Sequence, residues 1–541
     1  GLICSEDLFY FFIVIGLFLS LSILKLHSER KVISKSRCIG TYVGILTLVL
    51  LLEYVCTRPV CMWYCDVTQD KSRTLSKGSQ EVMEALDGGL TITTYVNLLD
   101  NHRWQGLPAN RVYDVRGFRQ FTRFKPEIQM RYVYYYDQTD NPILDKLYPN
   151  LSMEERAREL ARVEDLDFDK FLSPEEIREK IDLTSEGNRF VRLLERENGR
   201  KTFLRIYNDG QANPGEREIA AALKRLTIVP PKVGFLTGHD ERSIWQVGEW
   251  DYSAFAANIG FRYSLINIGF DVEEVDLRDT IPGDIHVLVI ADLKKPLTDN
   301  EQEYLQRYVD KGGNLFILAT ATRQELLNPV TRSLGVYFEP GILVQNHKQY
   351  QQDLILGEIT SEAIHFSPEF FNNKTSGKCI TMPRAVAINC NGQSDFRITP
   401  ILETSAKGCW NEQETIDFVN QVATLGPGEQ EKSYPLMVML DREVGSKKQH
   451  ILVVGCADCI SNGELTRTRN DVNSNNYSLI MESFRVLGDG VFPVDVSRPA
   501  PVDNAIKIGE TGLIVLKWFA LFILPLGIVM GGVWVWRRRR K

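Results

Sequence analysis

The stretch KVGFLTGHDER at Lys232–Arg242 opens the region whose pattern decides the fold. Its first six residues, KVGFLT, read as a strand that stops at Gly238. Beyond it the sequence predicts a helix over Asp251–Ile268, a strand at Asp271–Asp276 and a buried strand at His286–Ile290 (HVLVI). A helix over Thr298–Lys311 and a strand at Asn314–Leu318 follow. Strand and helix alternating through short links require a parallel sheet with helices on both faces, a Rossmann/flavodoxin-like α/β arrangement. Gly312 and Gly313 suit the end of the second helix, where a left-handed residue is wanted. Residues 336–447 read as less regular and richer in antiparallel strands. His450–Val454 (HILVV) and a helix over Tyr477–Leu487 resume the pattern and are expected to return to the same sheet.

Upstream, Pro230 and Pro231 close an earlier region, 77–229, that reads as a first α/β domain. Leu90–Val96, Arg131–Tyr136 and Thr202–Tyr207 are its strands; Lys77–Leu86, Arg111–Phe124, Met153–Val163 and Glu216–Leu226 are its helices. The charged segment Glu164–Lys180 reads as a solvated surface insertion.

The two ends belong to a membrane. Gly512–Trp536 is an apolar run with one charge, Lys517, tryptophans near both ends, and Arg537–Lys541 directly behind it. Leu8–Leu24 and Ile39–Val55 are two further runs, joined by a connector carrying Lys25, His27, Arg30, Lys31, Lys35 and Arg37. The excess of basic residues in the connector and tail places both in the cytoplasm and everything from about Asp66 to Asp503 outside. Acidic Glu6 and Asp7 before the first run, with no small-residue cleavage site after it, argue against a signal peptide. The expected localisation is a cell inner membrane, with the large domains in the periplasm. The divisions are 1–38, span and basic loop; 39–76, span and stalk; 77–229 and 230–505, two outer α/β domains; 506–541, span and tail. A chain that starts at Gly1 rather than Met is expected to be a fragment.

A net charge of −7, with the cytoplasmic parts basic, makes the outer part more acidic still and argues against nucleic acid as a partner. Of ten cysteines, seven fall outside the spans, an odd number that makes no closed disulfide framework. Ligands of a parallel sheet sit beyond its carboxyl strand ends, which singles out His239, Asp240, Glu241 and Arg242 after the first strand, Asp292 after HVLVIA, and Asp458 and Asn462 after the last. One histidine beside adjacent acids lacks metal-ligand spacing, Asp292 reads as a cap, and Asp458, Ser461 and Asn462 read as turn formers. Cys456 and Cys459 make a CxxC without a second pair, so zinc is disfavoured and redox chemistry needs a lowered thiol pKa. GPGEQEKS at Gly426–Ser433 lacks the glycine that a phosphate-cradling loop needs before its lysine. G-x-S-x-G and HExxH do not occur, so no catalytic residue, metal or cofactor is assigned. Trp104, Trp245, Trp250 and Trp410 could stack on sugars, although core packing is the plainer expectation for each.

KVGFLTGHDER, RQELLNPVTRSLGVYFEPGILVQ at Arg323–Gln345, VVGCADCISNGEL at Val453–Leu465 and the stalk DVTQDKSRTLS at Asp66–Ser76 together resemble the auxiliary component of gliding-motility-type ABC transporters, the GldG family. The resemblance covers about residues 39–541, and Glu6–Leu26 is similar to the final span of the partner permease, GldF. It implies a membrane-anchored outer subunit that works with an ABC permease subunit and a separate ATPase subunit, and it does not supply the substrate; the expectation adopted is a non-catalytic subunit in the lipid bilayer with an envelope polysaccharide or protein as cargo. In one departure, Cys456 stands where the resemblance implies the first Asp of a Gly-Asp-Ala-Asp turn. Two other classes remain open from the residues alone: an anchored glycan or envelope-polymer binding module, and an envelope hydrolase using His239, Asp240 or Glu241.

Overall fold

The computed structural model describes residues 1–30, 34–56, 58, 61–278, 280–365, 367–499 and 508–540. Lys31 of the basic connector, Asp503 and Lys541 therefore lie outside the described residues, as does the boundary drawn at 505/506. The chain forms two compact units, Gly1–Arg73 with Arg498–Lys541, and Thr74–Ser497.

In the first unit three helices, Ser5–Arg30, Lys35–Cys56 and the continuous Glu510–Arg539, are long and apolar enough to cross a membrane, and their most apolar windows bury nothing. This is compatible with a membrane-anchored protein. The third helix widens into a π turn at Phe519–Ile523 just before Pro525, whose ring removes an amide donor and crowds the preceding turn. A short antiparallel pair, β1 (Leu2–Cys4) with β2 (Tyr64–Asp66), ties the start of the first helix to the chain leaving the second. Ser5 reinforces it, donating to the Cys61 carbonyl at 2.9 Å and accepting from Trp63 N–H at 2.7 Å. Two antiparallel spans joined by a short connector must bring these ends together. The expected stalk begins as a knot on Asp66, whose carboxylate accepts the amides of Thr68 and Arg73, both at 2.9 Å.

The second unit holds two main sheets. The smaller runs β4-β3-β5-β6, from β3 (Leu90–Asn97), β4 (Gln129–Tyr135), β5 (Val191–Arg196) and β6 (Lys201–Arg205). The larger begins with β7 (Lys232–Thr237), β8 (Asp271–Asp276), β9 (Ile285–Ala291) and β10 (Asn314–Leu318). After the short β11 (Tyr337–Phe338) and β12 (Ile342–Gln345) it continues with β13 (Leu354–Ile359) and β14 (Ile380–Pro383). Then come β15 (Ile388–Asn389), β16 (Arg397–Glu403), β17 (Cys409–Glu412), β18 (Pro435–Val444) and β19 (Lys447–Val454). The order is β14-β13-β16-β18-β19-β10-β9-β7-β8. Its parallel part is β19-β10-β9-β7-β8, so the last strand does return beside β10, and β18, β16, β13 and β14 extend it antiparallel. From β7 the chain turns first to β8 on one side and then to β9 on the other, which makes the carboxyl ends of β7 and β9 the point where the winding reverses.

One hydrophobic cluster reaches from Leu75, Leu86 and Leu90 through Ala220 and Phe255 to Phe484 and Phe492, so both sheets share a core. Three expectations are corrected here. Asp251–Ile268 is two four-residue turns of helix, Ser253–Ala256 and Leu265–Ile268, because the Asn267 amide donates to the carbonyls of Asn258, Ile259 and Phe261 and holds the segment between them as a loop. Arg111–Phe124 breaks at Phe118, which is buried. Glu164–Lys180 is no mere surface insertion, since Phe171 and Ile177 are buried and Leu172 bridges to Tyr135. The strand Val191–Arg196 was not anticipated; its four leading positions are all buried, which hides the alternation that marks a half-exposed strand.

Gly269 shows how tightly the core closes. It has φ +126°, and an added Cβ would stand 2.1 Å from Cδ1 of the buried Phe492. Strain and overpacking act together at such a position, so Gly269→Ala should cost about 2–4 kcal/mol and lower the apparent melting temperature of the purified chain by several degrees. An unchanged melting curve would contradict the packing described.

Candidate functional site

The carboxyl ends of β7, β9, β10 and β19 lie on one edge, and backbone bonds knit the loops that leave them. Asp292 N–H donates to Leu318 O at 3.1 Å, Ala457 N–H to Ala319 O at 2.6 Å, and Lys294 N–H to His239 O at 3.1 Å. Non-glycine residues with left-handed backbone gather on these loops: Asp240 (φ 59°), Asp292 (φ 51°) and Thr322 (φ 75°), with Arg384 (φ 53°) just after β14. Such conformations cost energy that the surroundings must hold in place, and they concentrate where a protein fixes side-chain geometry for a purpose.

Five side chains form an alternating ionic chain on this edge. Arg242, its side chain 4% exposed, donates from Nε to Asp292 Oδ2 at 2.9 Å and from Nη2 to Asp458 Oδ1. Arg323 holds the other oxygen of Asp292 through Nε and Nη2, at 3.1 and 2.6 Å. Arg384 holds the other oxygen of Asp458 in the same way, at 2.9 and 2.6 Å. The two carboxylates are buried, whereas the outer arginines are 37% and 40% exposed at the side chain. Arg242 also donates to the Trp250 carbonyl at 3.1 Å and lies over the Tyr252 ring, while the Tyr252 hydroxyl donates to Ala457 O at 2.7 Å. Burial works against the charge on Arg242, and the acidic groups around it, Tyr252, Asp458 and Asp292, more than reverse that. Burial would likewise raise the Asp292 carboxyl, but Arg242 and Arg323 outweigh it and hold the group below the ordinary aspartate value.

Beside this chain sits a second cluster. His239 is buried between two carboxylates, with Nδ1 3.2 Å from Glu241 Oε1 and Nε2 3.2 Å from Glu301 Oε2. Burial pushes the Glu241 carboxyl up. Burial opposes ionisation of Glu301 too, yet the Thr298 amide and hydroxyl, with His239, bring it below the usual glutamate range. The same Glu301 completes the capping box of the helix Asp299–Asp310, so the cluster ties the β7 loop to a helix start. Asp240 instead faces solvent, paired with Lys295 at 2.7 Å.

Of the residues singled out in the sequence, Arg242, Asp292 and Asp458 meet in one network. His239 and Glu241 stand together apart from it. Asn462 serves as a fastener: its side chain accepts from Ala254 N–H at 2.7 Å and donates to the carbonyls of Gln246 and Gly248 at 3.1 and 2.8 Å. Asp292 is a node of the ionic chain and not a cap, and Asp458 is likewise more than a turn former, because each lies within reach of two guanidinium groups. Sequence reasoning missed Arg323, Arg384, Tyr252 and Glu301. Arg323 opens a segment already notable as RQELLNPV, whereas nothing in the neighbourhood of Arg384 marks it.

Core packing holds for Trp410, which is 2% exposed, and fails for Trp104, Trp245 and Trp250, which are 50–59% exposed. The Arg384 guanidinium lies 4.6 Å from the centre of the Trp250 ring. Cys456 and Cys459 are fully buried, with both thiols directed at carbonyl oxygens 3.0 Å away. Burial, aided by Cys459, pushes the Cys456 thiol well above its ordinary value, the opposite of what a redox dithiol needs. Among the described residues no three His, Cys, Asp or Glu side chains are arranged to hold a metal ion.

Residues 230–483, which contain this whole edge, match the model of a family described as an ABC-type uncharacterized transport system; the match supports an ABC-transporter auxiliary family. No curated protein matches the chain. Among solved structures it is similar to the mmIFT52 N-terminal domain, with 14% identity over 48% of this chain and 98% of that one and a TM-score of 0.33. The cytoplasmic protein STM3548 from Salmonella typhimurium is 13% identical over 47% of this chain and 98% of its own, at a TM-score of 0.26. The exo-beta-1,4-mannosidase Op5Man5 from Opitutaceae bacterium strain TAV5 is 11% identical over 68% and 53%, at 0.25. At these scores the likenesses carry no argument about function.

Removing the central arginine leaves each buried aspartate with one half-exposed arginine and an oxygen that has lost its cation, a loss of about 3 kcal/mol. Arg242→Met should therefore destabilise strongly, and adding Asp292→Asn and Asp458→Asn to it should recover a large part of the loss. A triple variant melting no higher than Arg242→Met would show that charge is not the reason. The pH dependence has a definite sign. A carboxyl held below its unfolded value of about 3.9 stabilises above that pH and loses the contribution as pH falls through the folded value. The melting-temperature gap between the parent chain and Asp292→Asn should be full at pH 7 and shrink below about pH 4. A gap that widens with acid would reverse the assignment.

Proposed function

We propose that the chain is a membrane-anchored, non-catalytic auxiliary subunit of a gliding-motility-type ABC transporter of the GldG kind. It would work with a permease and a separate ATPase, with its large domains 77–229 and 230–505 on the outer, periplasmic side of an inner membrane. One observation carries this reading: the segment that matches the ABC-type family is the sheet whose winding-reversal point is filled by the chain's own Arg242. An open sheet of this kind, which we read as flavodoxin-like, would offer that crevice to a small substrate. Here two buried carboxylates and one guanidinium occupy it, so the edge is suited to being gripped at its rim rather than to turning over a molecule inside. Half-exposed Arg323 and Arg384 form that rim, where an anionic group of cargo or partner could engage. The stalk Asp66–Ser76 is the covalent route by which an ATP-driven change in the membrane would reach the outer domains, a two-state element biased from both sides.

The exposed Trp245, and the exposed Trp250 under the Arg384 guanidinium, favour one competing reading, an anchored envelope-polymer binding module. Affinity purification of the intact protein in mild detergent, with mass spectrometry of near-stoichiometric companions, separates the two. The transporter reading expects an ATPase subunit and a permease. Recovery of polymer, or of the chain alone, would overturn it.

A further inference from the structure

The opposite edge of the large sheet, at the amino ends of its parallel strands, carries two adjoining cavities of about 880 and 610 Å³ that share Lys448 and Asp489. We infer that these cavities form a groove that binds a linear polyanion bearing repeated phosphate or carboxylate groups, at a site separate from the arginine edge and independent of the transporter reading.

The cavity walls carry seven Lys and Arg side chains against four Asp and Glu. Among the acids in the walls, Asp284 has a lysine partner, and Asp441 and Asp489 lie against histidines. Asp284 pairs with Lys232 at 2.5 Å, Asp441 with His450 Nδ1 at 2.6 Å, and Asp489 with His286 Nε2 at 3.3 Å. His450 Nε2 approaches the other oxygen of Asp489 at 4.0 Å. Of the seven Lys and Arg side chains in the walls, Arg307, Arg442 and Arg485 are engaged and four are unspent. Lys311, Lys447 and Lys448 in the first cavity and Arg397 in the second are exposed and have no carboxylate partner among the described residues. Lys448 lies opposite Glu443 in the β18–β19 register, yet the two form no ion pair. Three acids without a Lys or Arg partner among the described residues, Asp441, Glu443 and Asp489, stand against these four cations, so the walls keep a positive excess on a chain whose net charge is −7. A cluster that runs against the overall charge focuses anions locally.

Two carbonyls at the end of the helix Asp299–Asp310 are occupied by the chain's own donors, which reduces their repulsion of an anion. Gly313 N–H satisfies Tyr308 O at 2.9 Å, and Val309 O accepts from Gln449 Nε2 at 2.8 Å and Arg442 Nη2 at 3.0 Å. A bilayer surface fits less well, because none of the large exposed hydrophobic side chains lines either cavity. A metal fits less well again, since no suitable ligand group exists among the described residues and the unpaired cations would repel it. Cations distributed along two joined cavities match repeated charges on a strand better than one isolated anion.

The full chain in nanodiscs of neutral lipid should bind inorganic polyphosphate and polygalacturonate saturably, and inorganic monophosphate at least tenfold more weakly. The triple variant Lys311→Gln, Lys447→Gln, Lys448→Gln alters only exposed side chains and should weaken polymer binding at least tenfold while reducing its salt dependence. Arg384→Gln, at the other edge, should leave polymer binding unchanged. The inference is overturned if neither polymer binds, if the triple variant binds as tightly as the parent, or if anionic-phospholipid vesicles alone are bound.

Discussion

The sheet's working edge depends on one guanidinium. Arg242 stands between two buried aspartates contributed by the loops after β9 and β19, and it reaches both only because those strands lie on the same side of β7 with β10 between them. Placing two carboxylates out of water is costly unless each is fully paired. Arg323 and Arg384 complete that pairing from the rim, so an alternating chain of three cations and two anions links the loop after β7 to those after β9, β10, β14 and β19. Without the central arginine each aspartate would keep only its rim arginine, and nothing would join the two halves of the ionic chain.

This arrangement accounts for the local backbone. Asp292 and Arg384 both adopt left-handed conformations, which the ionic chain holds in place by fixing where their side chains must end. It also accounts for the exchange at the turn after β19, where Cys456 replaces an expected acid without loss of pairing. Asp458 alone binds both Arg242 and Arg384, and Cys456 turns inward to the Pro383 carbonyl. A second carboxylate there would have been buried without a cation of its own.

The two edges of the sheet contrast in how their charges are spent. At the carboxyl edge the buried charges are committed to one another, which makes the edge rigid and leaves only half of two arginines to the outside. At the amino edge two aspartates lie against histidines while three lysines have no carboxylate partner among the described residues. The fixed lattice thus stands at one end of the strands and the uncommitted charge at the other.

The sequence by itself determined the elements and their class. The short runs at Lys232–Thr237, Asp271–Asp276 and Asn314–Leu318 became strands with those same bounds, and the three long apolar runs became three helices able to cross a membrane, because burial and hydration act residue by residue and mark the sequence locally. It also placed Arg242, Asp292 and Asp458 at strand ends. Only the tertiary structure decided that they meet, since residues 242 and 458 are brought together by a strand order that local patterns do not encode. The same reason hid Arg384: a half-exposed arginine after a proline looks like any surface residue until the sheet places a buried aspartate against it. The helix expected over Asp251–Ile268 failed in the same way, because the Asn267 amide satisfies three loop carbonyls and that non-helical geometry outweighs the apolar spacing that suggested a helix.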